Sequence, residues 1–571
     1  MTLDTLTPEV LADAGWEDLA PYYADLVAEP FGPESIEDWL RRWSRLEECL
    51  TEAASLAMIA YTCDTGDPAK ERAHLRFSAE IMPRAEEQGV LLARRLLEAG
   101  WSRPDLAVVL QRFAAAIRVF REANVPLSAR LEELAAGYQR LTGGMTAEWE
   151  GERRPLPMLA PHLQATDRTV RERAWRATVA PYVAERPALA EQFDRMYRLR
   201  QEVAGNAGFA DYRDYTFAAK CRVDYTPADC ERFHRAVEES VVPVLGRVLE
   251  LRRERLGLAV LRPWDLGVDP WGQEPLRPFR DAAQLAGVTG GILARLDPVL
   301  GDEFRVMITE GLLDLGSRKG KAPGGYCDTL HFRGRPFIFM NASGVMEDVM
   351  TLLHEAGHSF HAFASHPGRL IWQRHPSSEA AELASMSLEL LGLPHLGPPV
   401  GFLNEGDLVR AQLGHLEDLL LSLTHIAAVD AFQTWIYTSG EGHSAAARDA
   451  AWLAIRGRFE PGVDWSGLET ERVARWYRQL HIFLYPFYYI EYGIAQLGAL
   501  QIWANYRRDP AGALAAYRSF LGLGATRSLP ELYRVAGAEL TFDGDRMAAL
   551  VDLVAGEIQA LAARAGEVAP N

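Results

Sequence analysis

Three histidines and one glutamate stand within eight residues at 354–361, in the stretch HEAGHSFH. On a helix His354 and His358 are four apart, so their imidazoles leave one face about one turn apart and two nitrogens can meet one Zn²⁺. Glu355 lies beside the first of them, where its carboxylate can reach water at the metal without occupying the metal, the HExxH arrangement. Chance alone yields HExxH in a chain this long at roughly a few per cent, so a third ligand is required. A metzincin-type completion needs Gly at 361 and His at 364, but the sequence has His361 and Ala364. That option fails.

The other completion is an acid on a following helix. Residues 377–391, SSEAAELASMSLELL, form one, bounded by Pro376 and by Gly392 and Pro394, and offer Glu379, Glu382 and Glu389. Glu382 and Glu389 are seven apart and share a face, while Glu379 lies near the helix start, where the dipole favours acids. Glu382 is the expected third ligand. Glu389 is expected to orient a ligand imidazole, with a solvated or structural role as the alternative. His361 faces broadly the same way as His354, but three protein ligands plus water fill a catalytic zinc site, so it reads as a neighbour of the ligands or as packing. Gly357 costs about 1 kcal/mol against Ala in mid-helix, and close packing is expected there.

A second stripe follows at 481–493, HIFLYPFYYIEYG. His481, Tyr485, Tyr488 or Tyr489, and Tyr492 recur at +4, +7 or +8, and +11, the spacing of one helix face. An aromatic core stripe is the bland reading. The functional one is that these phenols and the imidazole donate to the oxyanion of a tetrahedral intermediate.

The elements that position these groups are mostly helical. The histidine helix is expected to start near Ser343 as N-cap, with Glu347 and Asp348 in its first turn, and to end by His366-Pro367-Gly368. Segments 86–100, 130–141 and 188–205 carry apolar residues at three- and four-residue spacing. Strand signals are few: Pro336 to Asn341, PFIFMN, following FRGR, and more weakly FRVMI at 304–308. The chain therefore reads as mainly α, with one small sheet. Candidate joints lie near 150–160, 262–276 and 316–325, the first dividing an N-terminal helical lobe (1–155) from the rest (156–571). The 316–325 loop, GSRKGKAPGG, reads as a mobile surface loop, either facing substrate or simply solvated.

At 571 residues the chain is too long for a single core. A net charge of −18 argues against nucleic acid or an anionic membrane as a partner. Five scattered cysteines without CxxC fit a reducing cytoplasm and argue against a disulfide framework or a thiolate zinc site. No apolar run is expected to cross a bilayer, and the N-terminus carries no secretory pattern.

The set GKAPGGY (320–326), PFIFMN, HEAGHSFH, AELASMSLE (381–389), EGHS (441–444) and the His/Tyr stripe resembles the oligoendopeptidase F family, thimet-oligopeptidase-like zinc metallopeptidases. NAGFADYRDYTF (206–217) and FLGLGATRSLPELYRVAGAEL (520–540) are similar to it as well. The resemblance implies a two-lobed helical ellipsoid with a deep central channel, one Zn²⁺ per chain at its floor, and endopeptidase cleavage of short peptides. Carried over by motif, His354, His358 and Glu382 match the ligands and Glu355 the general base. His481, Tyr485, Tyr488 and Tyr492 match substrate-binding and oxyanion-stabilising side chains. The resemblance further implies that the strand bearing Phe337, Ile338, Phe339 and Met340 is the edge that pairs with substrate backbone. Two rival readings are a metallo-carboxypeptidase on a related helical scaffold and a non-catalytic peptide-binding protein of the same fold. Monomer and small homo-oligomer are both compatible with the sequence.

Overall fold

A computed structural model describes residues 3–568 apart from Lys319 and Pro323. It is mainly helical, with two small sheets. The expected helices are present as Met82–Glu98, Val125–Gly143 and Arg186–Asn206. FRVMI is helical instead, within Pro298–Thr309: Leu300, Phe304 and Met307 recur at helical spacing and are buried together, so the period outweighs β-branched content. A hairpin that the sequence reading lacks pairs β1 (Thr146–Trp149) with β2 (Glu152–Pro155), its two turn residues Glu150 and Gly151 both at positive φ.

Two large apolar cores form, with two small clusters, around Trp149 and around Trp264 and Trp465, beside them. The smaller core runs from Leu6 to Val109 and is built around the helix Ile36–Cys63, which buries Trp39, Trp43, Leu46 and Leu50. Phe332, Leu370 and Trp372 complete it from far along the chain, with the Trp372 ring 4.4 Å from that of Trp43. The larger core extends from Tyr138 to Ala565. The Tyr138 and Met145 side chains pack in the larger core, and the N-terminal run of the smaller one reaches Ile117.

The second sheet has the order β3 (Leu313–Gly316), β5 (Arg335–Ala342), β4 (Tyr326–Leu330). β3 runs parallel to β5, and β4 runs antiparallel, with Tyr326 opposite Phe339 and Cys327 opposite Ile338. Phe337, Ile338, Phe339 and Met340 therefore lie in the central strand, hydrogen-bonded on both sides. This corrects their assignment to an edge. The apolar run that marks them in the sequence is what a strand covered on both faces and both sides requires. Among the described residues β4 has no strand on its far side.

The described part of the 316–325 loop is pinned, not mobile. The Lys321 side chain is fully buried and donates to the Asp314 carboxylate and to the Gly316 and Met340 carbonyls. Arg318 bridges Asp314 to the Cys63 carbonyl, and Ala322 N–H donates to the Thr62 carbonyl (2.8 Å). The loop thus joins the sheet to the end of the N-terminal helix. The helix Glu405–Thr438 is long and apolar enough, by length and composition, to cross a bilayer, but 67% of its apolar stretch is buried inside the fold. Here it is a core helix.

The histidine helix spans Met346–Ser365 and the glutamate helix Ser378–Gly392. Ser343 does not cap the first. One oxygen of Asp348 accepts the Ser343, Gly344 and Val345 N–H groups (2.8, 2.8 and 3.0 Å), so the cap comes from inside the helix. The two helices cross at Gly357, where an added Cβ would stand 2.5 Å from the Ser385 Cα and 2.9 Å from the Ala384 carbonyl oxygen. Only glycine permits that approach. Gly357→Ala is expected to destabilise the protein by about 1–3 kcal/mol and to spread the two helices, despite its better helix propensity. Denaturant unfolding together with metal content after dialysis tests this; unchanged stability would remove the steric argument.

Candidate metal centre

The crossing at Gly357 brings His354 and His358 on one helix against Glu382 on the other. Glu382 Oε2 lies 3.3 Å from His354 Nε2 and 3.9 Å from His358 Nε2. Among the described residues these three are the one group of metal-ligand type whose donor atoms all lie within 4.8 Å of one another. Two imidazoles and a carboxylate are the donor set of a catalytic zinc site. Burial tends to raise the Glu382 carboxyl pKa, but the His354 hydrogen bond, both imidazoles and the Tyr488 hydroxyl bring it down to about 2, so it is anionic. Burial pulls His358 down to about 4, leaving a neutral ring able to donate a lone pair. Burial also works against the charged form of His354, but bonds to Glu382 and Glu389 outweigh it and raise its pKa. A cation at Nε2 would take the place of that proton. The residues fit a divalent metal.

The surrounding groups fix these ligands. Glu389 accepts from His354 Nδ1 at 2.7 Å, which leaves Nε2 toward Glu382. Ser385 Oγ donates to Glu382 Oε2 (3.1 Å) and Tyr488 OH to Oε1 (2.8 Å). His415, from the long core helix, stands 3.8 Å from the other Glu389 oxygen. Sequence reasoning missed Ser385 and His415; His415 lies on a distant helix with no motif around it. Glu355 is buried beside the ligands but is not one of the converging three. Burial pushes its carboxyl up to about 7, the Glu382 and Glu389 charges add to this, and His354 and the Cys327 backbone N–H oppose it. That N–H belongs to β4, which therefore runs beside Glu355.

His361 is elsewhere. Its ring lies 5.3 Å from that of Phe520, it is buried, and neither nitrogen has a hydrogen-bond partner. Burial, with His358 adding, takes its pKa down to about 3, so it packs as a neutral ring and orients no ligand. The packing alternative is the one realised.

The His/Tyr stripe is not one helix. The chain breaks between Leu480–Leu484 and Tyr489–Arg508, because Pro486 cannot continue the first and Phe487 takes φ +62°. The break still gathers the rings: His481 lies 5.8, 4.8 and 5.9 Å from Tyr488, Tyr489 and Tyr492. Tyr485 is the exception. It is 53% exposed, with its ring 6.1 Å from His481. Tyr489 accepts from Gln479, while Tyr488 reaches Glu382, which decides between the two at +7 and +8. Burial, then Glu382, raises the pKa of both Tyr488 and Tyr492, so both keep their protons; burial lowers His481 to about 4, which keeps it neutral.

A buried ionic group holds the break in place. Arg222, 1% exposed at its side chain, donates to the Phe487 carbonyl and to Glu491 (2.6 Å), which Lys220 also meets at 2.9 Å. Lys220 lies over the Tyr488 ring, 4.9 Å from its centroid. Glu379 takes part as well, buried and accepting from Tyr225 OH at 2.7 Å.

Residues 162–551 match the family described as Peptidase family M3. Among curated relatives, an oligoendopeptidase F homolog of Borreliella burgdorferi is 23% identical over 378 residues, covering 61% of each chain. Oligopeptidase PepF of Bacillus subtilis is 23% identical over 390 residues, 66% of this chain and 55% of its own. The match spans 61% of the first relative's own length and 55% of the second's, and about a third of the length of other curated relatives. A solved structure of PZ peptidase A with an inhibitor superposes with a TM-score of 0.89 at 28% identity, covering 96% of this chain and 98% of that one. With the family match covering well over half of its length, the chain belongs to peptidase family M3.

Proposed function

We propose that the chain is a zinc-dependent endopeptidase of short oligopeptides, with Glu355 as general base. The observation that carries this reading is the convergence of His354, His358 and Glu382, with a second buried carboxyl group, Glu355, beside them and outside the ligand set. The three ligands would hold one Zn²⁺ per chain, and zinc bound there supplies Lewis acidity toward water and the scissile carbonyl. Glu355 accepts the proton of the attacking water and delivers it to the leaving nitrogen, two tasks that a pKa raised toward neutrality serves equally. Tyr492 and neutral His481 donate to the oxygen on which charge develops, and Tyr488 joins them by turning its one O–H from Glu382 to that oxygen. Tyr485, exposed at the rim, meets the substrate at most through its side chains.

Substrate backbone pairs with the unpaired side of β4, next to Cys327 and Glu355, in place of the central strand. The names of the relatives support oligopeptides as substrates. The acidic balance speaks against nucleic acid, and five free cysteines suit a reducing cytoplasm.

Glu355→Gln is expected to retain zinc and lose at least about 10³-fold in turnover, measured by mass spectrometry on a mixture of short peptides. Wild-type cleavage by that variant would end the base assignment. His354→Ala and Glu382→Ala should lose the metal itself on dialysis, and Glu389→Gln should weaken it by about 10–100-fold. Tyr488→Phe is expected to reduce kcat by about 10²–10³-fold. Tyr485→Phe should leave it within a factor of about three, and equal losses in both would deny Tyr488 its role.

A further inference from the structure

Which nitrogen of His481 carries the proton is decided from behind the site, by hydrogen bonds that begin at an arginine. Arg456, on the helix Ala445–Phe459, is buried and paired with Glu460, which also meets Arg472 (2.8 Å) and Arg475. Burial and the Arg475 charge pull its pKa down only to about 10, so it stays charged at neutral pH. A guanidinium donates and never accepts. Its Nη1 lies 2.9 Å from Nδ1 of His425, which must therefore be the acceptor. Burial takes His425 down to about 3, with Arg456 and Arg475 adding to it, so the ring is neutral and its one proton is on Nε2. That proton is donated to Gln479 Oε1 at 3.0 Å.

With the amide oxygen held by His425, the amide nitrogen of Gln479 faces the other way. It donates to the Tyr489 oxygen (2.6 Å) and lies 3.4 Å from Nδ1 of His481. Tyr489 stands edge-on to both imidazoles, 5.5 Å from His425 and 4.8 Å from His481, which keeps the three rings at fixed spacing. His481 is neutral too, and a nitrogen that accepts carries no proton, so its proton is on Nε2. Among the described residues nothing accepts from that nitrogen, and it is not fully buried. The opposite tautomer would turn a lone pair toward the Tyr488 and Tyr492 cluster, where it would repel a developing negative charge.

We propose that Gln479 is a positioning residue: held by His425 and Arg456, its amide donates to Nδ1 of His481 and fixes the imidazole proton on Nε2, free to meet the oxyanion of a tetrahedral intermediate. The proposal rests on the peptidase reading, since that reading supplies the oxyanion. Gln479 touches no reacting atom and acts through His481. A glutamate at this position has the size of the amide but only accepts, so it would take a proton on Nδ1 and leave a lone pair at Nε2.

The test is nitrogen NMR of zinc-loaded protein containing isotope-labelled histidine, the His481 signals being those lost in His481→Phe. The wild type is expected to show a lone pair at Nδ1 and a proton at Nε2, and Gln479→Glu the reverse. In peptide cleavage Gln479→Glu should lower kcat at least about 10-fold with KM within about twofold. Added to His481→Phe, the same substitution should cost less than about threefold more. A proton on Nδ1 in the wild type overturns the proposal whether or not the variant folds, and so does a variant ring that keeps the wild-type tautomer. A full second loss in the His481→Phe background overturns it as well, because Gln479 would then act on the fold and not through His481. The two readings fail separately. The expected tautomers in a protein that cleaves no peptide sink the peptidase reading alone, while cleavage with a proton on Nδ1 sinks only the role of Gln479.

Discussion

The site depends on one steric contact, the passage of Ser385 across Gly357. Because no side chain stands between the two helices there, Glu382 reaches Nε2 of both histidines, and Glu389 reaches back to Nδ1 of the first. The other parts serve that crossing. Asp348 caps the start of the histidine helix, and the buried Arg222–Glu491–Lys220 group fixes the turn from which Tyr488 meets Glu382. Packing this close leaves little tolerance for added volume, which is why the glycine is a constraint on the chemistry as much as on the fold.

The electrostatics follow from gathering three carboxyl groups, Glu355, Glu382 and Glu389, around two imidazoles in a buried space. Like charges in low dielectric cannot all ionise freely, so their environments drive them apart. Glu382 is stabilised as an anion by donors on both oxygens, while Glu355, with only a backbone N–H, is pushed toward neutrality. One carboxylate suited to a cation and one suited to carrying a proton emerge from the same residue type. Their surroundings make the difference.

Much of this was legible in the sequence. The four-residue spacing of His354 and His358 and the seven-residue spacing of Glu382 and Glu389 are facts of helix geometry, and the structure brings these residues together as the spacing implies. Gly357 announced a close contact through its helix penalty alone. The failures have a common cause. His361 shares a helix face with His354 by arithmetic, but Phe520 occupies the space beside it. PFIFMN reads as a strand, yet nothing in its own residues says how many neighbours it has, and β4 and β3 come from loops and a weak apolar run. The stripe at 481–492 was read as continuous although Pro486 interrupts it, and Tyr485, beside the break, is left largely exposed. Arg222 and Lys220 were invisible because their partner Glu491 lies 269 and 271 residues away, and His415 because no motif surrounds it.

The smaller core has a further consequence, for the order in which the chain is made. Trp43 and Phe113 are synthesised well before Trp372, which lies 4.4 and 5.3 Å from their rings and follows only after the strands and the histidine helix have been made. Until then the N-terminal helices carry an uncovered aromatic face, of the kind that chaperones hold and that aggregation exploits. The residue that closes this face follows His354 and His358 and precedes Glu382. Completion of the early lobe and assembly of the metal centre are therefore nearly the same event in the life of the nascent chain.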